Sequence, residues 1–150
     1  MTKTIKQLQN EIAEHLGIDP LPIKFEDMGE DDSRIYFKEE YVGINKKYKN
    51  DYEECAKCIA HEYRHVFQIF YANLFDTETA RRWKGLLGTQ INSSNMKEDG
   101  SDYLEQELEI DAFAFTKFYL EHYEGFKVVN RIDGLDDILD LYIEKNIRIM

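Results

Sequence analysis

His61, Glu62 and His65 lie in the string His61-Glu62-Tyr63-Arg64-His65, which sets two imidazoles four residues apart with a carboxylate directly after the first. In a helix that spacing puts the two histidines about 40° apart around the axis, so both project from one face and can grip a single zinc ion. Glu62 falls on the neighbouring face, where its carboxylate reaches a zinc-bound water rather than the metal. That is the place of a general base in hydrolysis. With four histidines and seventeen glutamates in 150 residues the string can arise by chance, so its surroundings decide its meaning.

The first requirement is a helix around the string. Asn50 and Asp51 offer N-caps, and Glu53 and Glu54 can complete a capping box. Cys55, Ala56, Ile59, Ala60, Val66, Phe67 and Phe70 recur at helical spacing up to about Phe75. The second requirement is a third protein ligand, because a catalytic zinc takes three and leaves a fourth position open. Glu105-Gln106-Glu107-Leu108-Glu109-Ile110-Asp111 reads as a second helix in which Glu107 and Asp111 are spaced i, i+4. A ligand at Glu107 would have Asp111 one turn on, able to accept a ring N–H from a ligating histidine. Glu105 and Glu109 lie on other faces, and Glu109 is the rival ligand if the register differs by two residues. The competing interpretation of this acidic helix is a solvated face with favourable charge at its N-terminus.

The pairing of HExxH with a later ExxxD resembles the gluzincin metallopeptidases, and more narrowly the compact ImmA/IrrE-type metallopeptidases of phages and mobile elements. The likeness covers roughly residues 20 to 120. It implies an α+β fold, a helical zincin-like domain with a small antiparallel sheet beside the HExxH helix. It also implies His61, His65 and Glu107 as zinc ligands, Glu62 as base, Asp111 as the residue behind the ligands, and a repressor or regulatory protein as substrate. Arg64, where family members commonly carry a small residue, and the long segment between the two motifs depart from that pattern. They keep open a second function, a metal-binding but proteolytically inactive interaction module of a phage or mobile-element regulatory system.

The remaining elements are those that must position these residues. Ile5, Leu8, Ile12 and Leu16 make an apolar stripe over residues 4–16, closed by Gly17, with His15 expected at the surface. Pro20 and Pro22 then forbid helix, and Ile23-Lys24-Phe25-Glu26, Ile35-Tyr36-Phe37 and Tyr41 to Asn45 read as three short strands. Tyr41 to Asn45 is the segment expected at the sheet edge, where an extended substrate could pair through its main chain. Thr77 to Leu87 reads as a short helix whose Arg81, Arg82, Trp83 and Lys84 balance the charge of their own domain or meet an acidic partner. The polar stretch Gly88 to Gly100 reads as a loop placed to act as a lid. The second site helix should stop at Gly125, and Leu135 to Ile147 reads as a last amphipathic helix. His122, Tyr119 and Tyr123 are the candidate oxyanion donors, against the plainer alternative of aromatics packed at a helix end.

Composition narrows the function further. One domain spanning 1–150 is expected from the length. Nineteen basic against thirty acidic residues give a net charge of −11 spread along the chain, which argues against nucleic acid as a partner. No segment has the length of a bilayer span and the amino terminus lacks an apolar signal core, so a cytoplasmic protein without a membrane partner is expected. Cys55 and Cys58, with no second pair, are expected as reduced thiols, though Cys58 lies one turn before His61 and could crowd a metal.

Overall fold

The computed structural model describes residues 3–87, 107–128 and 135–147. The chain divides into two compact units, Met1–Phe67 and Gln68–Met150.

In the first unit, helix α1 (Ile5–Leu16) begins on Thr4, whose side chain accepts from Gln7 N while the Gln7 side chain accepts from Thr4 N. It ends on Gly17 at φ 72°, a left-handed position where any other residue would be strained. Leu8, Ile12, Ala13 and Leu16 are the buried stripe. Helix α2 (Tyr52–Leu74) starts where Asp51 Oδ1 accepts from Glu54 N at 3.2 Å. Its first half buries Cys55, Ala56, Ile59, Ala60 and Tyr63. Tyr63 is fully buried because its hydroxyl has a partner, the Leu21 carbonyl at 2.7 Å.

The sheet has the order β1–β3–β2, with β1 (Ile23–Glu26), β2 (Ser33–Tyr36) and β3 (Tyr41–Asn45). It is not antiparallel throughout, as the family resemblance implied: β2 runs antiparallel to β3, but β1 pairs with β3 in parallel. Nor is Tyr41–Asn45 an edge. Val42 and Ile44 are both fully buried, and the strand that buries most apolar surface takes the middle, leaving β1 and β2 as the edges among the described residues.

The register sorts the two faces. Ile23 and Phe25, opposite Val42 and Ile44, share the inner face with Ile35 and Ser33, which sit opposite the same two residues. On the outer face Tyr36 stacks on Tyr41 at 4.6 Å, and Tyr41 donates to the Glu26 carboxylate. Gly43 lies beneath them, where a Cβ would collide with that carboxylate and with the Tyr36 ring.

In the second unit, α3 (Glu78–Leu87) is capped by Thr77, whose hydroxyl accepts from Ala80 N. Helix α4 (Glu107–Tyr119) continues as a π turn over Leu120–Glu124 and stops at Gly125, φ 75°. Helix α5 (Leu135–Tyr142) runs on into a second π turn, Ile143–Ile147. Gln68, fully buried on α2, donates to Leu108 O and to Asp111 Oδ2, both at 2.8 Å, and so fastens α4 to the last turns of α2. Tyr142 donates to the other oxygen of Asp111 at 2.9 Å and fastens α5. Among the described residues no helix is long and apolar enough to cross a membrane.

Candidate metal centre

The turn of α2 between His61 and His65 is regular helix, so the two rings leave it on one side and meet edge to face at 83°. Their Nε2 atoms stand 3.2 Å apart. A tetrahedral zinc with nitrogens at 2.0–2.1 Å would hold them about 3.3 Å apart, so their separation matches that of two ligands on one ion. A carboxylate oxygen of Glu109 completes the group, all three ligand atoms lying within 4.8 Å of one another. Two imidazoles and one carboxylate are a catalytic zinc donor set with a fourth position to spare. Closing the carboxylate to bonding distance takes a shift of up to about 1.5 Å, within reach of a glutamate side-chain rotation. The donor set therefore fits a metal, and among the described residues it is the one such cluster of histidine, cysteine and acidic groups.

Glu107 is not the residue brought to the histidines, and this corrects the sequence expectation. Its two oxygens accept from Arg82 Nε at 2.8 and 3.0 Å, and one of them also accepts from the indole N–H of Trp83 at 2.6 Å. A carboxylate so neutralised is a brace between α3 and α4. Glu107 and Glu109 lie about 200° apart on the helix, so orienting one outward to Arg82 and Trp83 turns the other inward. Glu109 is buried, at 6 % exposure. Asp111 is buried too and receives the Gln68 and Tyr142 bonds already described. The basic residues of α3 serve their own chain: Arg81 pairs with Asp76 at 2.8 Å, as Arg82 does with Glu107.

Glu62 is buried beside the first histidine, and its Oε2 accepts a hydrogen bond from the Ser33 hydroxyl at 2.9 Å. Ser33 is at the start of β2 on the inner face of the sheet, opposite Ile44, which is how a strand residue comes to meet the motif helix. Arg64, the other buried charge of the motif, lays its guanidinium over the Phe67 ring at 4.5 Å.

The candidate oxyanion donors belong to an aromatic cluster at the end of α4. Phe118 stacks on His122 at 5.3 Å, and Tyr119 packs between Phe115 and Tyr123. Tyr119 is buried, whereas Tyr123 is half exposed. Both cysteines are free and buried. Cys55 donates to the Tyr48 carbonyl at 3.0 Å, and burial pushes its thiol up to about 11 and that of Cys58 up to about 12. Cys58 faces Asp32 and Ser33 and is not one of the clustered ligand atoms.

Comparisons with protein-family models, with curated proteins and with solved structures find no match. The site therefore rests on this chain's own geometry. Sequence reasoning missed Ser33, Gln68 and Tyr142. Gln68 alone left a local signal, an amide inside the otherwise apolar run Val66–Phe70. Ser33 lies 29 residues from Glu62, and nothing in the spacing links them. Glu105 and the Gly88 to Gly100 loop lie outside the described residues.

Proposed function

We propose that this chain is a zinc-dependent metallopeptidase, with His61, His65 and Glu109 as ligands and Glu62 as general base. The observation that carries the reading is the pair of Nε2 atoms 3.2 Å apart, with the Glu109 carboxylate at the same place and a buried glutamate one residue from the first ligand. A histidine pair alone would suit a structural metal. A glutamate held beside it, with its own hydrogen-bond partner, is what a base requires.

Zinc at this position would supply a Lewis acid that polarises a carbonyl and brings the ionisation of water toward neutral pH. Glu62 takes one proton from the attacking water and delivers it to the leaving amine as the peptide C–N bond breaks, giving a carboxylic acid and an amine. The substrate is a protein or peptide presented as an extended segment. Ser33 puts edge strand β2 beside Glu62, and among the described residues β2 pairs only with β3, so its other edge can accept such a segment. The resemblance to the ImmA/IrrE-type enzymes favours a regulatory protein as that substrate.

The test joins metal content to hydrolysis. Purified protein should contain about one zinc per chain by elemental analysis. Glu62→Gln should retain the metal while losing cleavage of quenched-fluorescent casein and a quenched peptide library. Zinc below a tenth per chain after incubation with zinc sulfate would sink the metal assignment. Full metal with cleavage unaltered by Glu62→Gln would leave a metal-binding interaction module.

A further inference from the structure

Glu62 has two oxygens and only one of them can serve as the base at a time. Its Oε2 is occupied by Ser33 at 2.9 Å, and among the described residues no other hydrogen bond reaches this carboxylate. Ser33 is fixed from the sheet side: it is paired with Ile44 on β3 and its side chain shares the buried face of Val42 and Ile44. The hydroxyl has one proton to give. Its other neighbour, the Cys58 thiol, keeps its own proton, since burial pushes that group up to about 12, so it does not draw the Ser33 proton as a thiolate would. The Ser33 proton therefore goes to Glu62.

We propose that Ser33 is a positioning residue for Glu62, holding Oε2 so that Oε1 alone is presented to the water that is activated. This deepens the peptidase reading and rests on it. A glutamate has three side-chain torsions, and an unheld carboxylate on a helix samples rotamers that turn it away from its neighbour's ligand atom. A bond from a β strand to the carboxylate removes that freedom before substrate arrives, as preorganisation of a reacting group demands. It also leaves edge strand β2 bearing both the hydroxyl that orients the base and the main chain that an extended substrate would meet, so that disturbing the strand disturbs both.

The test uses the full chain with Ser33→Ala and Ser33→Thr, each checked for zinc content and far-ultraviolet dichroism. In metal-free protein, the infrared carboxylate band found by subtracting Glu62→Gln from wild type should shift in Ser33→Ala and return in Ser33→Thr. In zinc-loaded protein, kcat on the best quenched peptide of the library should fall about 10 to 100-fold in Ser33→Ala, the range seen when a residue behind a site is removed. KM and zinc content should hold, and Ser33→Thr should recover most of kcat. A hydroxyl that merely satisfied a buried carboxylate would lower stability on removal and leave kcat in place. An unshifted band, or unchanged kcat in Ser33→Ala while Glu62→Gln is inactive, overturns the role of Ser33 and leaves the peptidase reading standing. Wild-type protein that binds zinc and cleaves nothing overturns the peptidase reading, and the positioning role falls with it.

Discussion

Two glutamates two residues apart on α4 are put to opposite uses. Glu107 faces α3 and is held by a guanidinium and an indole N–H, whereas Glu109 faces inward, where its oxygen lies with the imidazoles of His61 and His65. The residues are chemically identical and both belong to acidic sequence. Their difference comes from rotation about one helix axis. That rotation is fixed by Gln68, which binds Leu108 O and Asp111 on one side, and by Arg82 and Trp83 on the other. One carboxylate is matched by a cation, and the other is grouped with two imidazoles in a donor set that a metal could use.

The largest effect expected from this contrast is on metal affinity. Glu109→Ala should weaken zinc binding well beyond the roughly 100-fold that separates outer residues from ligands, while Glu107→Ala should keep about one zinc per chain after dialysis. Competition with a chromogenic chelator measures both. Zinc lost in Glu107→Ala and kept in Glu109→Ala would reverse the assignment of the two glutamates.

Stability should separate the two residues as well. Glu107→Ala strips a charged partner from Arg82 and leaves the buried Trp83 N–H, 1 % exposed as a residue, without its acceptor. Urea unfolding of the metal-free protein should register a loss of about 1–3 kcal/mol for the orphaned donor. With zinc present at 100 times its dissociation constant, wild type and Glu107→Ala should each gain about 2.7 kcal/mol and Glu109→Ala should not. A zinc-dependent gain in Glu109→Ala equal to that of wild type would erase the distinction drawn between brace and ligand.

The smallest effect is on salt dependence. Glu107 and Arg82 are partly open to solvent, with side-chain exposures of 27 % and 43 %. Raising salt to about 1 M, where the screening length falls to about 3 Å, should reduce the cost of Glu107→Ala by only a few tenths of a kcal/mol, because the pair is in contact and hydrogen-bonded. Complete loss of that cost at high salt would make it a surface ion pair rather than a brace.

What was legible in the sequence is what local chemistry dictates. Thr4 and Gly17 bound α1, Asp51 starts α2, Thr77 starts α3 and Gly125 closes the π turn after α4, each through a cap that acts within a few residues. The His61–His65 geometry was legible for the same reason, since one helical turn contains it. The middle position of β3 and its parallel partner were not, because register between Ile23 and Val42 is set by burial across eighteen intervening positions. The choice between Glu107 and Glu109 failed similarly. Helical spacing places a residue relative to its own helix, and the phase of that helix is set by Gln68, Arg82 and Trp83, 24 to 43 residues away in the bonds they make.

The two buried thiols have a consequence in redox chemistry. Cysteine reacts, and binds metal, as its thiolate. With Cys55 pushed up to about 11 and Cys58 to about 12, roughly one thiol in ten thousand or fewer is ionised near pH 7. Alkylating agents and peroxide therefore meet almost no thiolate at these two positions. Cys58, one turn from His61, is held as the neutral thiol in the metal-free chain. Burial of two small side chains thus keeps both thiols protonated while it packs the helix.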